Sequence, residues 1–207
     1  MKTSKERDAF FTKPKIAERF VGKVNELYPL WAFEHVVEPS AGAGDILQYL
    51  PEENRVGYDI HPLSDEIIEQ DFLKMETMKL GSTAVVGNPP FGRQSKLAIE
   101  FFNKCAPWAD VIAFIIPRSW MKYRTQKQLH PEFELYCSIV LPDESFTLDG
   151  KDHTVRCCAQ IWAKYPPVVD IGGGYLSWND KVSQEMLDDI DAYQTKYGCY
   201  EKPKTLF

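Results

Sequence analysis

Short apolar runs recur along this chain, and segments with an apolar residue at every third or fourth position separate most of them. The short runs predict strands, and they lie at residues 35–38, 55–60, 67–70, 83–87, 110–117, 135–142 and 154–163. The periodic segments predict amphipathic helices, and they lie at residues 13–28, 45–50, 95–106, 119–129 and 180–196. For the first helix, Thr12 is the expected N-cap and Pro14 lies in the first turn. Strands that alternate with helices favour a parallel sheet covered on both faces.

The last two predicted strands are joined differently, because residues 143–153 between them carry no helical pattern. A connection without a crossover helix predicts one antiparallel strand near the C-terminal end of the sheet. We therefore expect an α/β fold of the Rossmann-like, doubly wound kind, with an otherwise parallel sheet. The domain is expected to span residues 1–165. An extension over residues 166–207 would add one helix that packs on the domain.

Composition narrows the class of protein. The chain has 207 residues, of which 44% are hydrophobic and 26% are charged, as in ordinary globular proteins. No stretch approaches the about 20 apolar residues of a membrane span, and the N-terminal segment lacks the apolar core of a secretory signal. Five cysteines, an odd number with Cys157 and Cys158 adjacent, favour reduced thiols, and no metal-ligand spacing is present. We therefore expect an intracellular, cytoplasmic protein with no membrane and no metal partner.

Charge is distributed unevenly along the chain. The net charge is −6, yet residues 77–131 hold eight basic and two acidic residues, against 16 basic and 28 acidic elsewhere. The overall charge argues against a generally basic nucleic-acid binder, whereas the local excess of cations suits phosphates. The other interpretation is that these cations lie on solvated helix faces.

Polar or glycine-rich segments follow four consecutive predicted strands. EPSAGAGD at residues 38–45 follows the first, Asp59 the second, Asp71 the third and NPPF at residues 88–91 the fourth. The carboxyl ends of parallel strands meet at one edge of a sheet, where ligands bind. Asp59 lies 21 residues after Glu38, a spacing typical of an acid that binds ribose hydroxyls. Each segment alone also fits an ordinary turn or cap, but their order predicts one ligand site.

These segments, in this order, resemble the motifs of the class I S-adenosylmethionine-dependent methyltransferases, and more narrowly those of the nucleic-acid N6-adenine methyltransferases. VVGNPPF at residues 85–91 fits the pattern of apolar residues, Asn or Asp, two prolines and an aromatic residue that marks those enzymes. Residues 9–21 resemble the family's segment before the first strand, and residues 141–164 resemble the segment that closes the catalytic domain. The resemblance covers residues 9–164.

The resemblance implies a role for each matching position. The catalytic motif would consist of Asn88, Pro89, Pro90 and Phe91. The cofactor would be S-adenosyl-L-methionine, and the residues that hold it would be Thr12, Lys13, Pro14, Glu38, Ser40, Gly42, Gly44, Asp59, Ile60, Asp71 and Phe72. Phe146 would supply a second aromatic contact to the target base.

The catalytic motif suits the chemistry of an exocyclic amine, whose lone pair is delocalised into the adenine ring. The side-chain oxygen of Asn88 and the carbonyl of Pro89 can each accept one N–H, which directs the lone pair towards the methyl donor. The amine gains positive charge as the methyl group transfers, so acceptors placed beforehand bind the transition state better than the ground state. Phe91 offers a ring on which the base can stack.

The basic residues near the motif suggest the substrate's backbone. Arg93 and Lys96 follow the catalytic motif, and four more cations follow the fifth strand, namely Arg118, Lys122, Arg124 and Lys127. All of them are expected at the same sheet edge as the ligand site, where they could bind phosphates. The predicted partner is therefore nucleic acid, with DNA favoured and RNA as the alternative.

The chain departs from the family after the catalytic domain. DNA adenine methyltransferases with this motif order usually carry a large target-recognition domain, whereas only 43 residues follow Lys164 here. The expected substrates are therefore RNA, single-stranded or phage-type DNA of low specificity, or DNA recognised through a protein partner. Two alternatives stay open. One is a protein glutamine-amide methyltransferase, because a planar amide presents the same geometry, and the other is a cofactor-binding, non-catalytic partner subunit.

Overall fold

The structure is a computed structural model that describes residues 10–76, 81–148, 150–167 and 174–177. Its helices are α1 (Pro14–Leu27), α2 (Lys96–Cys105) and α3 (Tyr123–Gln126). Its strands are β1 (Phe11–Thr12), β2 (His35–Glu38), β3 (Arg55–Asp59), β4 (Ile67–Glu69), β5 (Thr83–Gly87), β6 (Val111–Pro117), β7 (Glu134–Val140), β8 (Phe146–Leu148), β9 (Lys151–His153), β10 (Cys157–Ala163) and β11 (Gly174–Ser177).

Eight of these strands form the main sheet, in the order β4–β3–β2–β5–β6–β10–β7–β11. Every neighbouring pair is parallel except the two pairs that involve β10, which runs antiparallel to both β6 and β7. The predicted α/β class and the single antiparallel strand are confirmed. The antiparallel strand lies inside the sheet, between β6 and β7, rather than at its edge.

Both faces of the main sheet are covered by other elements, which explains why its central strands are almost entirely apolar. Val36 of β2 packs with α1 residues such as Phe20 on one face, whereas its neighbour Val37 packs with α2 residues such as Phe102 on the other. Successive side chains of a strand point to opposite faces, so a strand covered on both sides needs an apolar residue at every position. The helices therefore bury both faces, as the alternating pattern predicted.

Two predicted helices are largely replaced by short 3₁₀ turns. Leu47–Tyr49 forms one such turn, and Arg55 Nη1 donates to the carbonyls of Leu47 and Leu50 at 3.1 and 3.2 Å. Where residues 119–129 predicted a helix, a 3₁₀ turn spans Arg118–Met121 and only the four residues of α3 are α-helical. In the second case the side chain of Thr125 donates to the Ser119 carbonyl at 2.9 Å. Such bonds compete with helical backbone bonds and explain the shorter elements.

The start of α1 also differs from the prediction. The N-cap is Lys13 rather than Thr12, and it makes no side-chain capping bond. Pro14 occupies the first helical position, where its missing N–H costs nothing. Thr12 belongs instead to β1, which pairs antiparallel with β8.

The small antiparallel sheet β1–β8–β9 was not predicted from the sequence. It fastens the N-terminal segment to the β8–β9 hairpin, and Lys13 Nζ lies 2.9 Å from the Asp152 carboxylate across this sheet. Because β1 directly precedes α1, this pairing also fixes residues 10–13 beside the carboxyl ends of the main strands.

One predicted helix and one predicted domain boundary depend on residues beyond the described residues. The helix at residues 180–196 lies outside them, so the extension and the boundary at residue 165 stay predictions.

Within the described ranges, no group of His, Cys, Asp and Glu side chains could hold a metal ion. No helix in this part of the chain has the length and hydropathy of a bilayer span. The four cysteines within the described ranges are buried free thiols, namely Cys105, Cys137, Cys157 and Cys158.

Candidate active site

A cavity of about 550 Å³ opens at the carboxyl ends of β2, β3 and β5. It lies where the strand order reverses, because β3 and β4 extend to one side of β2 while β5 and β6 extend to the other. Many of the residues singled out in the sequence meet here. Those that line the cavity are Thr12, Glu38, Ser40, Gly42, Asp59, Ile60, Asp71, Phe72, Asn88, Pro89, Pro90 and Phe91.

Asp59 at the end of β3 holds two loops of the cavity in place. Its Oδ2 accepts the Gly42 N–H at 2.8 Å and its Oδ1 accepts the His61 N–H at 2.8 Å. Gly42 has a φ of +54° and Gly44 a φ of +85°, values that favour glycine. Each carboxylate oxygen of Asp59 retains a further acceptor site, so this side chain can position the loop and still bind a ligand hydroxyl.

Glu38 at the end of β2 is a buried acid with an unused oxygen. The residue is only 2% exposed, and its Oε2 finds no hydrogen-bond partner among the described residues. Burial raises the pKa of Glu38 well above its ordinary value, and the neighbouring carboxylates Asp45 and Asp59 raise it further. An acid of this kind suits a ligand that brings a positive charge or a donor into the cavity.

The raised pKa of Glu38 makes a prediction about stability. The folded protein holds this proton more tightly than the unfolded chain, so the Glu38 contribution is fully present below pH 4.5, the ordinary pKa. It is lost as pH rises through the higher folded-state pKa. Glu38→Gln should therefore flatten the fall of the free energy of unfolding over this range, as measured by urea denaturation at a series of pH values. Exposed Glu69 provides the control, and a Glu69→Gln curve that flattens equally would contradict the assignment.

Asn88 after β5 has its side-chain amide fixed in one orientation. Its Nδ2 donates to the Phe10 carbonyl and to Thr12 Oγ1, both at 3.2 Å. A backbone carbonyl only accepts, so the nitrogen must face Phe10 and the oxygen must face away. That oxygen, Oδ1, is buried and has no partner in the described part of the chain. Asn88 lines the cavity, and its Oδ1 is an unused acceptor, while Ser40 Oγ donates to the Asn88 backbone carbonyl at 3.2 Å.

Three stacked aromatic rings, named here the aromatic column, lie beside residues 88–91. Phe91 is only 8% exposed, and its ring stacks on Phe10 with centroids 6.0 Å apart and an interplanar angle of 27°. Phe10 stacks in turn on His153 at 5.2 Å and 11°. Phe10 and His153 were missed by sequence reasoning, because their contact depends on the unpredicted β1–β8–β9 sheet. The aromatic pair Phe10–Phe11 ahead of the first predicted helix was the available signal.

The part of the cavity that follows β4 combines one acid with apolar side chains. Asp71 lies 2.9 Å from Lys74 Nζ, and this hydrogen bond holds the pKa of Asp71 below its ordinary value. Phe72 is buried and stacks on Phe101 at 5.7 Å and 8°, whereas Ile60 is 55% exposed at the cavity rim. Such a wall suits a flat apolar ring with a donor at its edge.

Some predicted site residues lie elsewhere. Lys13 is bound to Asp152, Pro14 begins α1, and Gly44 shapes the loop without lining the cavity. Phe146 is 0% exposed and packs edge-on against Phe10 at 6.3 Å, outside the cavity lining. Its position supports a role beneath the aromatic column rather than a direct contact with a base.

The predicted cations differ in their surroundings. Arg118 binds the Leu141 carbonyl at 3.1 Å and Asp143 at 3.2 Å, so it joins the end of β6 to the loop after β7. Lys122 is partly buried, whereas the exposed cations are Arg93, Lys96, Arg124 and Lys127. Arg156 is a further exposed cation, and its carbonyl accepts the Arg118 N–H at 3.1 Å. Because β10 runs antiparallel to β6 and begins where β6 ends, Arg156 lies at the same end of the sheet as the other cations.

Several solved structures share this fold. Similar folds occur in a protein from Listeria monocytogenes assigned to the class I S-adenosylmethionine-dependent methyltransferases (TM-score 0.56, 12% identity, 90% of this chain and 71% of that chain). They also occur in the 23S rRNA methyltransferase ErmE (0.54, 18%, 78% and 73%). A third is the M protein of the type I restriction enzyme EcoKI (0.54, 13%, 74% and 44%). No protein-family model and no curated protein matches the sequence.

These likenesses show that the chain has the fold of the class I methyltransferases. The predicted fold class is thereby confirmed.

Proposed function

We propose that this protein transfers a methyl group from S-adenosylmethionine to the exocyclic N6 amine of adenine in nucleic acid. The observation that carries the proposal is the Asn88 amide, whose Oδ1 is buried and unused while its Nδ2 is held by Phe10 and Thr12. A hydrogen-bond acceptor fixed beside a cavity in this way suits an amine better than a carbonyl or a phosphate. The fold, shared with the rRNA methyltransferase ErmE, supports the proposal.

The described residues fit S-adenosylmethionine. A cavity of about 550 Å³ falls within the usual range for small-molecule sites. Asp59 would accept ribose hydroxyls, Asp71 would accept the adenine amine, and Phe72 would lie against the ring. The unused Oε2 of Glu38 would face the positively charged end of the ligand. When bound, S-adenosylmethionine supplies a methyl group carried on a positively charged sulfur.

The catalytic motif would act on the target amine through two acceptors. Asn88 Oδ1 and the Pro89 carbonyl each accept one N–H, which turns the nitrogen lone pair away from the ring. The nitrogen would become positive as its bond to the methyl group forms and the methyl–sulfur bond breaks, which leaves a neutral thioether. Both acceptors would therefore stabilise the transition state more than the ground state. Pro89 has no N–H that could repel the amine, and the two prolines restrict the backbone that carries the acceptors. The surplus proton leaves afterwards to solvent.

The exposed cations favour a polyanionic substrate over a protein amide. Arg93 and Lys96 directly follow the catalytic motif, and Arg124 follows the neighbouring strand. Phosphates attract such cations by charge alone, whereas a neutral glutamine side chain does not need them. DNA is the favoured nucleic acid in this proposal, with RNA included.

The test of this function is direct. The protein is incubated with S-adenosylmethionine carrying a labelled methyl group and with separate pools of single-stranded DNA, duplex DNA, structured RNA and protein. We expect label in nucleic acid, recovered as N6-methyladenine after digestion. Label recovered only in glutamine of the protein pool would support the amide alternative, and no label in any pool would favour the non-catalytic subunit.

The cations predict how binding depends on salt. Replacing both Arg93 and Arg124 with glutamine should weaken nucleic-acid binding several-fold and reduce the slope of log K against log salt by about one unit per lost phosphate contact. Fluorescence anisotropy with a labelled oligonucleotide measures both quantities. Lys164→Gln is the control. Lys164 lies at the opposite end of the strands, where its backbone N–H donates to the carbonyl of Asp110 just before β6. An unchanged slope in the double variant would overturn the phosphate role.

A further inference from the structure

Tyr123, the first residue of α3, is a large aromatic side chain that packing does not explain. It is 53% exposed, and none of the four residues of α3 is buried. A tyrosine that contributes so little to the core is free to serve a surface function.

The surroundings of Tyr123 are basic. Lys127 Nζ lies 4.5 Å from the centre of the Tyr123 ring, and Arg124 is an exposed neighbour. Residues 111–131 contain no acidic residue at all. Proteins that bind single-stranded nucleic acid combine aromatic side chains with cations on the binding surface. Every base has a face that can stack on an aromatic ring, and every nucleotide has a phosphate that a cation can bind.

The position of Tyr123 relates it to the candidate active site. The catalytic motif follows β5, and Tyr123 follows the adjacent parallel strand β6 at the same edge. The hydroxyls of Ser95 and Ser119 lie 3.1 Å apart and join the two connecting segments. Tyr123 is four residues beyond Ser119, so their Cα atoms are at most about 14 Å apart. A nucleotide near the target adenine could therefore reach this ring.

We propose that Tyr123 is a stacking platform for an unpaired nucleobase beside the target adenine, and that the substrate class is single-stranded nucleic acid. This inference rests on the proposed function. Bases inside a duplex present their edges in the grooves while their faces are covered by neighbouring bases. An exposed tyrosine therefore stacks more readily on a base that is already unpaired, and Tyr123 is still 53% exposed with the Lys127 ammonium over its ring.

The experiment compares one sequence in two forms. Binding of a fluorescein-labelled single-stranded oligonucleotide with one central adenine, and of its duplex, is measured by fluorescence anisotropy. Tyr123→Ala should weaken single-strand binding by about 5- to 150-fold, the range for loss of one stacking contact, and change duplex binding less than twofold. Tyr123→Trp should retain single-strand binding. Trp31→Ala is the matched control, because Trp31 is 69% exposed but precedes β2 at the opposite sheet edge.

Each result decides the proposal. Parental single-strand binding by Tyr123→Ala, equal losses on both forms, or a parental preference for duplex would overturn it. Cofactor affinity and melting temperature of the variants show that the fold is intact.

Label transfer separates this proposal from the proposed function. If the parent protein methylates adenine and Tyr123→Ala methylates and binds single strands equally well, only the stacking platform is wrong. If the parent labels no nucleic acid, the proposed function itself fails.

Discussion

Asn88→Ala is expected to lower the rate of methyl transfer by about 10²- to 10³-fold, the usual cost of removing one preorganised hydrogen bond to a developing charge. Its affinity for S-adenosylmethionine should change only a few-fold, because the role proposed for the lost oxygen is to accept from the target amine and not to hold the cofactor. Single-turnover transfer from labelled cofactor to the preferred nucleic acid measures the first quantity, and titration calorimetry the second. A loss in rate with cofactor binding retained is the signature of an interaction that acts in the transition state.

Two further variants separate the acceptor from the rest of the side chain. Asn88 Nδ2 also holds Phe10 and Thr12, so alanine removes donors as well as the acceptor. Asn88→Asp keeps an oxygen at the cavity and should transfer methyl groups faster than Asn88→Ala. Asn103→Ala removes an amide on α2 that donates to Gln128 at 2.9 Å, and it should transfer at the parental rate. Parental activity in Asn88→Ala would rule out the proposed mechanism.

Asp59→Ala should weaken S-adenosylmethionine binding at least tenfold, and by about 100-fold if both ribose hydroxyls bind the carboxylate. Hydrogen bonds to a charged acceptor contribute about 1.5–3 kcal/mol each. The substitution also releases the Gly42 and His61 amides, each now 2.8 Å from a carboxylate oxygen, so the glycine loop loses its anchor. Titration calorimetry gives the dissociation constant directly.

The matched control for Asp59 lies in the same loop. Asp65 is exposed and does not line the cavity, so Asp65→Ala should bind the cofactor like the parent. Asp59→Asn retains one oxygen for the loop amides, and an intermediate affinity is expected. Cofactor binding by Asp59→Ala that equals the parental value would mean that this cavity is not the cofactor site.

The edge of the sheet at which the site forms could be predicted because it depends only on element order. Once β2, β3 and β5 are parallel neighbours, the segments after Glu38, Asp59 and Gly87 must meet. The β1–β8–β9 sheet could not be predicted in this way. Thr12 pairs with Phe146 far along the chain, and strands of two or three residues carry no periodic pattern.

Side-chain partners were also beyond prediction. Arg118 was expected to face phosphate, yet it binds the Leu141 carbonyl, because a long cation at a strand end can also satisfy backbone groups of the neighbouring connection. The orientation of the Asn88 amide depends on the Phe10 carbonyl, whose position follows from the unpredicted small sheet. Residue spacing thus indicated where the candidate site lies, while the contacts among its side chains required tertiary structure.

The place of β10 between β6 and β7 has a consequence for how the chain reaches its native state. During synthesis β6 and β7 emerge first, and their facing edges stay unpaired until residues 157–163 follow. Unpaired apolar edges in the middle of a sheet are sites for aggregation. The late insertion also requires contacts between distant parts of the chain, which slows folding. A nascent chain arrested before residue 157 should therefore depend on chaperones. The main sheet can be completed only after β10 has emerged from the ribosome.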